Sequence, residues 1–428
     1  MPQTSKSVVI HTHGCKLNQS DSDQMTRQFR LAGYRVIDSI PDADIYVLNT
    51  CTVTATADSK ARHALRSAYR ANPDALIVAT GCYSQRAQEE LTKMNEVSLV
   101  VKNTEKANLV EIIDKQPISN KHQSENVTLT NLSSQGRCRA MVKIQEGCNQ
   151  VCSYCIVPSV RGRERSIKVA DLINQINQFV SEGCQEIVLT GTQLGSYGFD
   201  LDDASLPTLI SSILSHTDIP RLRVSSLQPQ EINPTLLSLW QNTKLCPHFH
   251  LPLQSGSNKI LKLMRRRYTS EEFVNTSNLI RDAVGNVAIT GDLIVGFPGE
   301  NDSDFENTLQ LVSKLQFSNL HVFPYSQRPG TTAYYDKSQI PQTIKRYRIQ
   351  KISEIVERDF ANFRHKFIGT CRNVLWDTQK TTEGEQFCKG ITDNYIRVTA
   401  KSEMNLRNTI TKTKLLSLEN DCVLAETA

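Results

Sequence analysis

The stretch AMVKIQEGCNQVCSYC, residues 140–155, decides how the rest of the chain is read. Its first six residues read as a strand. The strand runs straight into three cysteines spaced Cys148-x3-Cys152-x2-Cys155. Three thiolates held so close together suit a soft metal or an iron–sulfur cluster. A structural zinc site would want a fourth local ligand. None follows, since the next cysteine is Cys184 on a later unit, and Cys138 precedes the strand and belongs at its opposite end. The triad therefore reads as a three-ligand site with one open corner.

Downstream of this strand, five more runs have strand character: EIVLTG (186–191), RLRVSS (221–226), HFHLPL (248–253), AITGDLIVGF (288–297) and LHVFPYS (320–326). Helical patterns such as VADLINQINQFV (169–180) and DFENTLQLVSKL (304–315) separate them. Six β/α units predict a partial barrel, with a second doubly wound sheet as the alternative. Upstream, SVVIHT (7–12), IYVLNT (45–50) and ALIVAT (75–80) are short aliphatic or β-branched runs, each followed by a polar turn and a helical pattern. Such a series predicts an open parallel sheet.

Each of these three upstream strands is followed closely by a cysteine: Cys15, Cys51 and Cys82. Strand C-termini in an open α/β sheet share one edge, where ligands bind. Three thiols from three such turns can converge there, and the helix N-termini that follow favour thiolate. The alternative is three unrelated buried thiols packed as small hydrophobes. Cys184, Cys246, Cys371, Cys388 and Cys422 read as packing residues of that kind.

A chain of 428 residues is too long for one ordinary core. The polar stretch QPISNKHQSENVTLTNLSSQGR (116–137) lacks apolar periodicity. The expected division is an N-terminal α/β domain at 1–117, a linker at 118–137, the partial barrel at 138–362, and a small β-rich domain at 363–428. With 39% hydrophobic and 22% charged residues and a net charge of +5, the chain has an ordinary globular composition. There is no signal-peptide pattern and no membrane-length apolar run, so a cytoplasmic protein without a membrane partner is expected. Twelve cysteines there stay reduced unless they bind something.

The loop KIQEGCNQVCSYCIVPSVRGRERS resembles the radical S-adenosylmethionine enzymes, in their methylthiotransferase branch. So do HTHGCKLNQSD, NTCTVTATAD, HLPLQSGSNKILKLMRR and DLIVGFPGE, and the resemblance covers nearly the whole chain. GCKLN, FSNLHVFPYSQRPGT and GITDNYIRV are most similar to the branch that modifies threonylcarbamoyladenosine in tRNA. The sister branches act on isopentenyladenosine in tRNA or on an aspartate of a ribosomal protein. The resemblance implies a terminal TRAM β-barrel at 363–428, into which CRNVLWDTQK fits poorly. It implies two 4Fe-4S clusters and S-adenosyl-L-methionine. Cys148, Cys152 and Cys155 would hold the cluster that cleaves the cofactor. Cys15, Cys51 and Cys82 would hold the one that carries the sulfur. The implied reaction adds sulfur and a methyl group at carbon 2 of adenine. It needs a reducing electron donor and a sulfur source.

Cofactor-binding candidates follow from the strand ends. Thr190, Gly191 and Thr192 close the second barrel strand, where the superfamily often has Gly-Gly-Glu and this chain lacks the acid. Ser225 and Gln254 end the third and fourth strands, and Gly296 permits close approach of a purine. His248 and His250 read first as barrel-lining residues. Arg161, Arg163 and Arg165 follow the cysteine loop, Arg265, Arg266 and Arg267 precede a capping box, and Lys345, Arg346 and Arg348 precede the terminal domain. Together these basic groups are expected to meet tRNA phosphates. Arg161 is the preferred fork for the substrate's carboxylate. A rival of another class is a non-enzymatic RNA-binding protein with two zinc sites.

Overall fold

The structure is a computed structural model that describes residues 6–116, 138–382 and 385–427. The expected linker at 118–137 lies outside them. The chain divides into two compact units. One joins the N-terminal residues to Glu146–Glu164 and Ser326–Tyr334. The other holds the strand up to Gln145, Arg165–Tyr325, and everything from Tyr335 onward.

The first unit is built on a five-stranded parallel sheet. Its strands are β1 (Ser7–Thr12), β2 (Arg35–Val36), β3 (Ile45–Thr50), β4 (Leu76–Gly81) and β5 (Leu99–Val100), in the order β2-β1-β3-β4-β5. Both faces are covered, which is why the strands read as continuous apolar runs. Val9, Tyr46, Leu48 and Ile77 pack on Ala61, Leu65 and Ala68 of helix α2 (Ala55–Ala71). The alternate residues Val8, Ile45, Val47 and Val78 pack on Met25 and Phe29 of helix α1 (Lys16–Leu31). A period of two thus sorts one strand's side chains between two helical layers.

The second unit carries six parallel strands: β6 (Arg139–Lys143), β7 (Glu186–Thr190), β8 (Arg221–Val224), β9 (His248–His250), β10 (Ala288–Val295) and β11 (Asn319–Pro324). They form two three-stranded sheets, β8-β7-β6 and β9-β10-β11. Parallel bridges Leu222–Leu245 and Ser226–His250 join them into one curved wall. One face is the apolar core, with Val142, Ile187, Leu222, Phe249, Leu293 and Leu320 against the helices. The alternate positions put Arg139, Glu186, Arg221, Arg223, His248, His250, Thr290 and Asp292 on the other face. This is the expected partial barrel, with a polar inner wall.

After the helix Gln342–His365 the chain closes a small barrel whose strand pairs are antiparallel except for one, Arg397–Lys401 with Cys422–Thr427. Its strands are β12 (Cys371–Thr382), β13 (Glu385–Thr392), β14 (Arg397–Lys401), β15 (Ile410–Glu419) and β16 (Cys422–Thr427), in the order β12-β13-β14-β16-β15. CRNVLWDTQK, which fitted the barrel pattern poorly, is its longest strand. It pairs with both β13 and β15, has a register shift between Trp376 and Thr378, and buries Trp376 completely.

A buried charge cluster fixes this barrel to the six-stranded wall. Glu186, fully buried, accepts from Arg139 Nε at 2.8 Å, from Arg223 Nε and Nη2 at 3.1 Å, and from Arg221 Nε. Arg221 and Arg223 also donate to the carbonyls of Ile391, Thr392 and Asp393 in the barrel. Tyr395, at φ +72°, stacks on His248 with ring centroids 4.2 Å apart and lies under Arg223. Burial alone would raise the Glu186 carboxyl, but the guanidiniums of Arg223, Arg221 and Arg139 outweigh it and hold it well below the usual range.

Glu186→Gln leaves buried Arg221 and Arg223 and half-buried Arg139 without their shared carboxylate, so it should destabilise this unit by about 3–5 kcal/mol in denaturant unfolding. A carboxyl depressed below its unfolded value of about 4.3 stabilises fully above that pH, and the contribution disappears as acid passes down through the native value. The variant should therefore lack that part of the wild-type acid transition. An unchanged midpoint at pH 7 would contradict the assignment.

Candidate functional site: two cysteine triads

β1, β3 and β4 are adjacent and parallel, so their C-terminal ends lie side by side. Cys15 caps helix α1, Cys51 follows β3, and Cys82 opens the short helix α3 (Cys82–Arg86). Buried side chains pin the three turns together. Asn18 Nδ2 donates to His13 O at 2.7 Å and to Thr50 O at 3.0 Å. Asn49 Nδ2 returns a bond to Asn18 O at 2.9 Å. The Thr50 hydroxyl donates to Thr80 O and accepts the Tyr83 N–H. Gly14 has φ +122°, and a Cβ there would lie 2.8 Å from that of Cys51. Only glycine lets the Cys15 turn approach the Cys51 turn this closely.

Burial pushes the Cys51 thiol up to about 11, and the neighbouring Cys15 and Cys82 add to the rise. Burial also raises Cys82, against which the Arg161 guanidinium acts. These mutual effects place the three thiols in one electrostatic neighbourhood. Among the described residues, no three His, Cys, Asp or Glu side chains are gathered at metal-ligand distance. The donor chemistry is three soft thiols at one sheet edge, which could hold a cluster with one iron left open.

The second triad lies on a loop of the same compact unit. Cys148 N–H donates to Gly162 O and Cys155 N–H to Cys152 O, both at 3.1 Å. Gly147, at φ +81°, would place a Cβ 2.0 Å from Arg163 O, so the loop closes only without a side chain there. Cys148 is buried, and Cys152 and Cys155 are half-buried. Cys82 packs against Ile156 and Val160, which immediately follow the second triad. Two cysteine sets far apart in sequence are thereby neighbours.

Arg161, the expected fork for a substrate carboxylate, has partners within the protein. It is buried, with Nη1 on Glu146 at 2.6 Å, both Nη atoms on Asp21 at 3.1 Å, and Nη2 on Asn18. Lys106 completes this knot on Asp21. The fork ties the cysteine loop to the helix that follows Cys15. Lys345 and Arg348 are likewise internal. Lys345 donates to Tyr325 O at 3.0 Å, and Arg348 pairs with Glu300 at 2.7 Å. Arg163, Arg165, Arg265, Arg267 and Arg346 are exposed. Arg266 is half-buried and donates to Gln228 Oε1 at 2.9 Å.

The cofactor-binding candidates lie along one edge of the six-stranded wall. Thr190 and Ser225 are buried at the ends of β7 and β8. The N–H groups of Thr192 and Gln193 both donate to Gln145 Oε1 at 3.0 Å, and a Cβ on Gly191 would meet Gln145 at 3.1 Å. Gln254 adopts φ +62°. Gly296 N–H is taken by Glu300. His250 bridges Thr290 at 3.0 Å and Asp292 at 2.9 Å, and His248 also reaches Thr290. Sequence reasoning missed Gln145, Gln193 and Glu231. Burial raises Glu231 to about 7 although it accepts from Gln193 and from Gln228 N–H. Only the Gln-rich TGTQ and SLQPQE turns hinted at this rim.

Two family models match the sequence: Uncharacterized protein family UPF0004 over residues 7–102 and Radical SAM superfamily over residues 142–312. The threonylcarbamoyladenosine tRNA methylthiotransferase MtaB of Bacillus subtilis (strain 168) is 36% identical over 96% of this chain and 94% of its own. This chain belongs to the radical S-adenosylmethionine tRNA methylthiotransferases. The Aquifex aeolicus (strain VF5) protein of the same name is 39% identical over 84% of this chain and 90% of its own. A tRNA-2-methylthio-N(6)-dimethylallyladenosine synthase of Clostridium tetani (strain Massachusetts / E88) is 33% identical over 96% and 95%. Among solved structures, the radical S-adenosylmethionine methyltransferase TsrM of Kitasatospora setae covers 77% of each chain with a TM-score of 0.52 and 14% identity, a likeness of fold alone. A radical S-adenosylmethionine methylthiotransferase works with that cofactor and an iron–sulfur cluster. Among the described residues, no helix is long and apolar enough to cross a membrane.

Because burial pushes the Cys51 thiol up to about 11, alkylation of metal-free protein at pH 8 should modify exposed Cys15 well before Cys51. Peptide mass spectrometry over a time course reads both sites. Equal rates would contradict the buried placement of Cys51.

Proposed function

We propose that this methylthiotransferase acts on tRNA carrying N6-threonylcarbamoyladenosine next to the anticodon and places a methylthio group on carbon 2 of its adenine. The observation that carries the reading is the pair of cysteine triads within one compact unit, one of them on a loop of radical S-adenosylmethionine spacing. Relatives of 36% and 39% identity that bear this substrate in their names support the choice of base.

In this reading Cys148, Cys152 and Cys155 hold one 4Fe-4S cluster, and Cys15, Cys51 and Cys82 hold a second. When bound, S-adenosylmethionine and the clusters supply the radical, the methyl group and the sulfur. The chain's own residues do the rest. Arg161 stands beside Cys82 and favours its thiolate. The Asn18, Asn49 and Thr50 bonds keep the three turns at one edge whether or not a cluster is bound. The wall edge formed by Thr190, Gly191, Thr192, Ser225, Gln254 and Gly296 receives the cofactor. Exposed Arg163, Arg265 and Arg267 meet phosphates of the folded RNA.

The test is nucleoside mass spectrometry of tRNA incubated anaerobically with reconstituted enzyme, reductant, sulfide and S-adenosylmethionine. The methylthio product should arise from threonylcarbamoyladenosine and from no tRNA lacking that group. Replacing Cys148, Cys152 and Cys155 by Ala should abolish cofactor cleavage. Replacing Cys15, Cys51 and Cys82 should spare cleavage and stop product formation. Product from isopentenyladenosine alone would overturn the substrate, and cleavage surviving in both triple variants would overturn the division of roles.

A further inference from the structure

Two guanidinium groups are buried beside the cysteine loops, and they are satisfied very differently. Arg161 has both Nη atoms matched by Asp21, Glu146 and Asn18. Arg328 is only 3% exposed, and its Nη2 donates to Asp58 Oδ2. That same oxygen receives Arg86 Nη2 at 2.8 Å, and the other carboxylate oxygen is taken by the Thr52 hydroxyl at 2.6 Å. One carboxylate thus serves two guanidiniums. Among the described residues, Nε and Nη1 of Arg328 are buried with no acceptor. Unmet donors on a buried cation are costly, and the side chain is too deep for bulk water to answer them.

The position of Arg328 narrows what could answer them. Its segment, Ser326–Tyr334, belongs to the same compact unit as both triads. At one end the Ser326 hydroxyl accepts the N–H of Ala55, which opens α2 just after the Cys51 turn, at 3.0 Å. At the other end Ala333 N–H donates to Ser153 O at 2.8 Å, between Cys152 and Cys155. A Cβ on Gly330 would touch Ile156. Through Thr52 the Arg328–Asp58 pair adjoins Cys51 itself. The open donors therefore sit between the turn of one triad and the loop of the other, where a base must come to receive sulfur.

We propose that Arg328 is the oxyanion receptor of the substrate site and binds an oxyanion of the target nucleotide, either the carboxylate of its threonylcarbamoyl group or its phosphate. The proposal rests on the substrate reading above. A planar guanidinium answers both groups with paired hydrogen bonds. This moves the role the sequence gave to Arg161 onto a residue whose donors are open.

The test is anaerobic fluorescence anisotropy of reconstituted full-length protein with three synthetic anticodon stem-loops. One carries threonylcarbamoyladenosine, one its neutral carboxamide, and one a methylphosphonate at that nucleotide. Wild type should bind the first more tightly than one of the other two by on the order of tenfold or more. Arg328→Gln should lose that discrimination, and Arg328→Lys should recover part of it. Loss against the carboxamide assigns the carboxylate, and loss against the methylphosphonate assigns the phosphate. If wild type discriminates against neither neutral analogue, the proposal is overturned without recourse to any variant. It is also overturned if Arg328→Gln keeps full discrimination, or if that variant shifts only the cluster spectra, which would assign the donors to a cluster. Equal wild-type binding of threonylcarbamoyladenosine and unmodified adenosine would instead fault the substrate reading, and the methylphosphonate comparison would still report on Arg328.

Discussion

In a parallel sheet every strand ends at the same edge, and the N-terminal cysteine triad depends on this constraint. Cys15, Cys51 and Cys82 are far apart in the chain, yet three adjacent strands deliver them to neighbouring turns. Register alone would leave the turns loose. Asn18, Asn49 and Thr50 convert neighbouring turns into one fixed edge by spending buried polar groups on each other's carbonyls. Positive-φ glycines before Cys15 and Cys148 then let backbone approach where a side chain would collide. Burial raises the Cys51 and Cys82 thiols, so a metal that binds them displaces their protons.

Much of this was legible in the sequence because it rests on short-range pattern. Apolar runs marked β1, β3 and β4, and the cysteine after each marked the edge. The Cys148-x3-Cys152-x2-Cys155 loop carried its own spacing. The two-residue strands β2 and β5 were not legible, being too short for any periodicity. The strand holding CRNVLWDTQK was hidden by polar residues that face outward while Trp376 fills the centre.

Charged residues were the hardest to place, since their burial is decided by partners distant in the chain. Arg161 read as a fork for the substrate's carboxylate, and Asp21 and Asn18, from helix α1, close around it. Lys345 and Arg348 looked like part of a basic stripe, yet Tyr325 and Glu300 draw them inward. Glu186 with Arg139, Arg221 and Arg223 gave no sequence signal as a cluster, because alternate positions on three strands assemble it. Such buried ion groups are exacting rather than strongly stabilising. Here they tie the terminal barrel to the wall and tie one cysteine loop to the turn of the other.

The central claim is that one chain holds two clusters, each on three cysteines of its own. Iron and acid-labile sulfide per chain, measured after anaerobic reconstitution, test it most directly in wild type and in the two triple-alanine variants. The account predicts that each variant retains half the wild-type iron and sulfide. It also predicts that removing all six cysteines leaves none. Wild-type iron no higher than that of the variant lacking Cys15, Cys51 and Cys82 would contradict it.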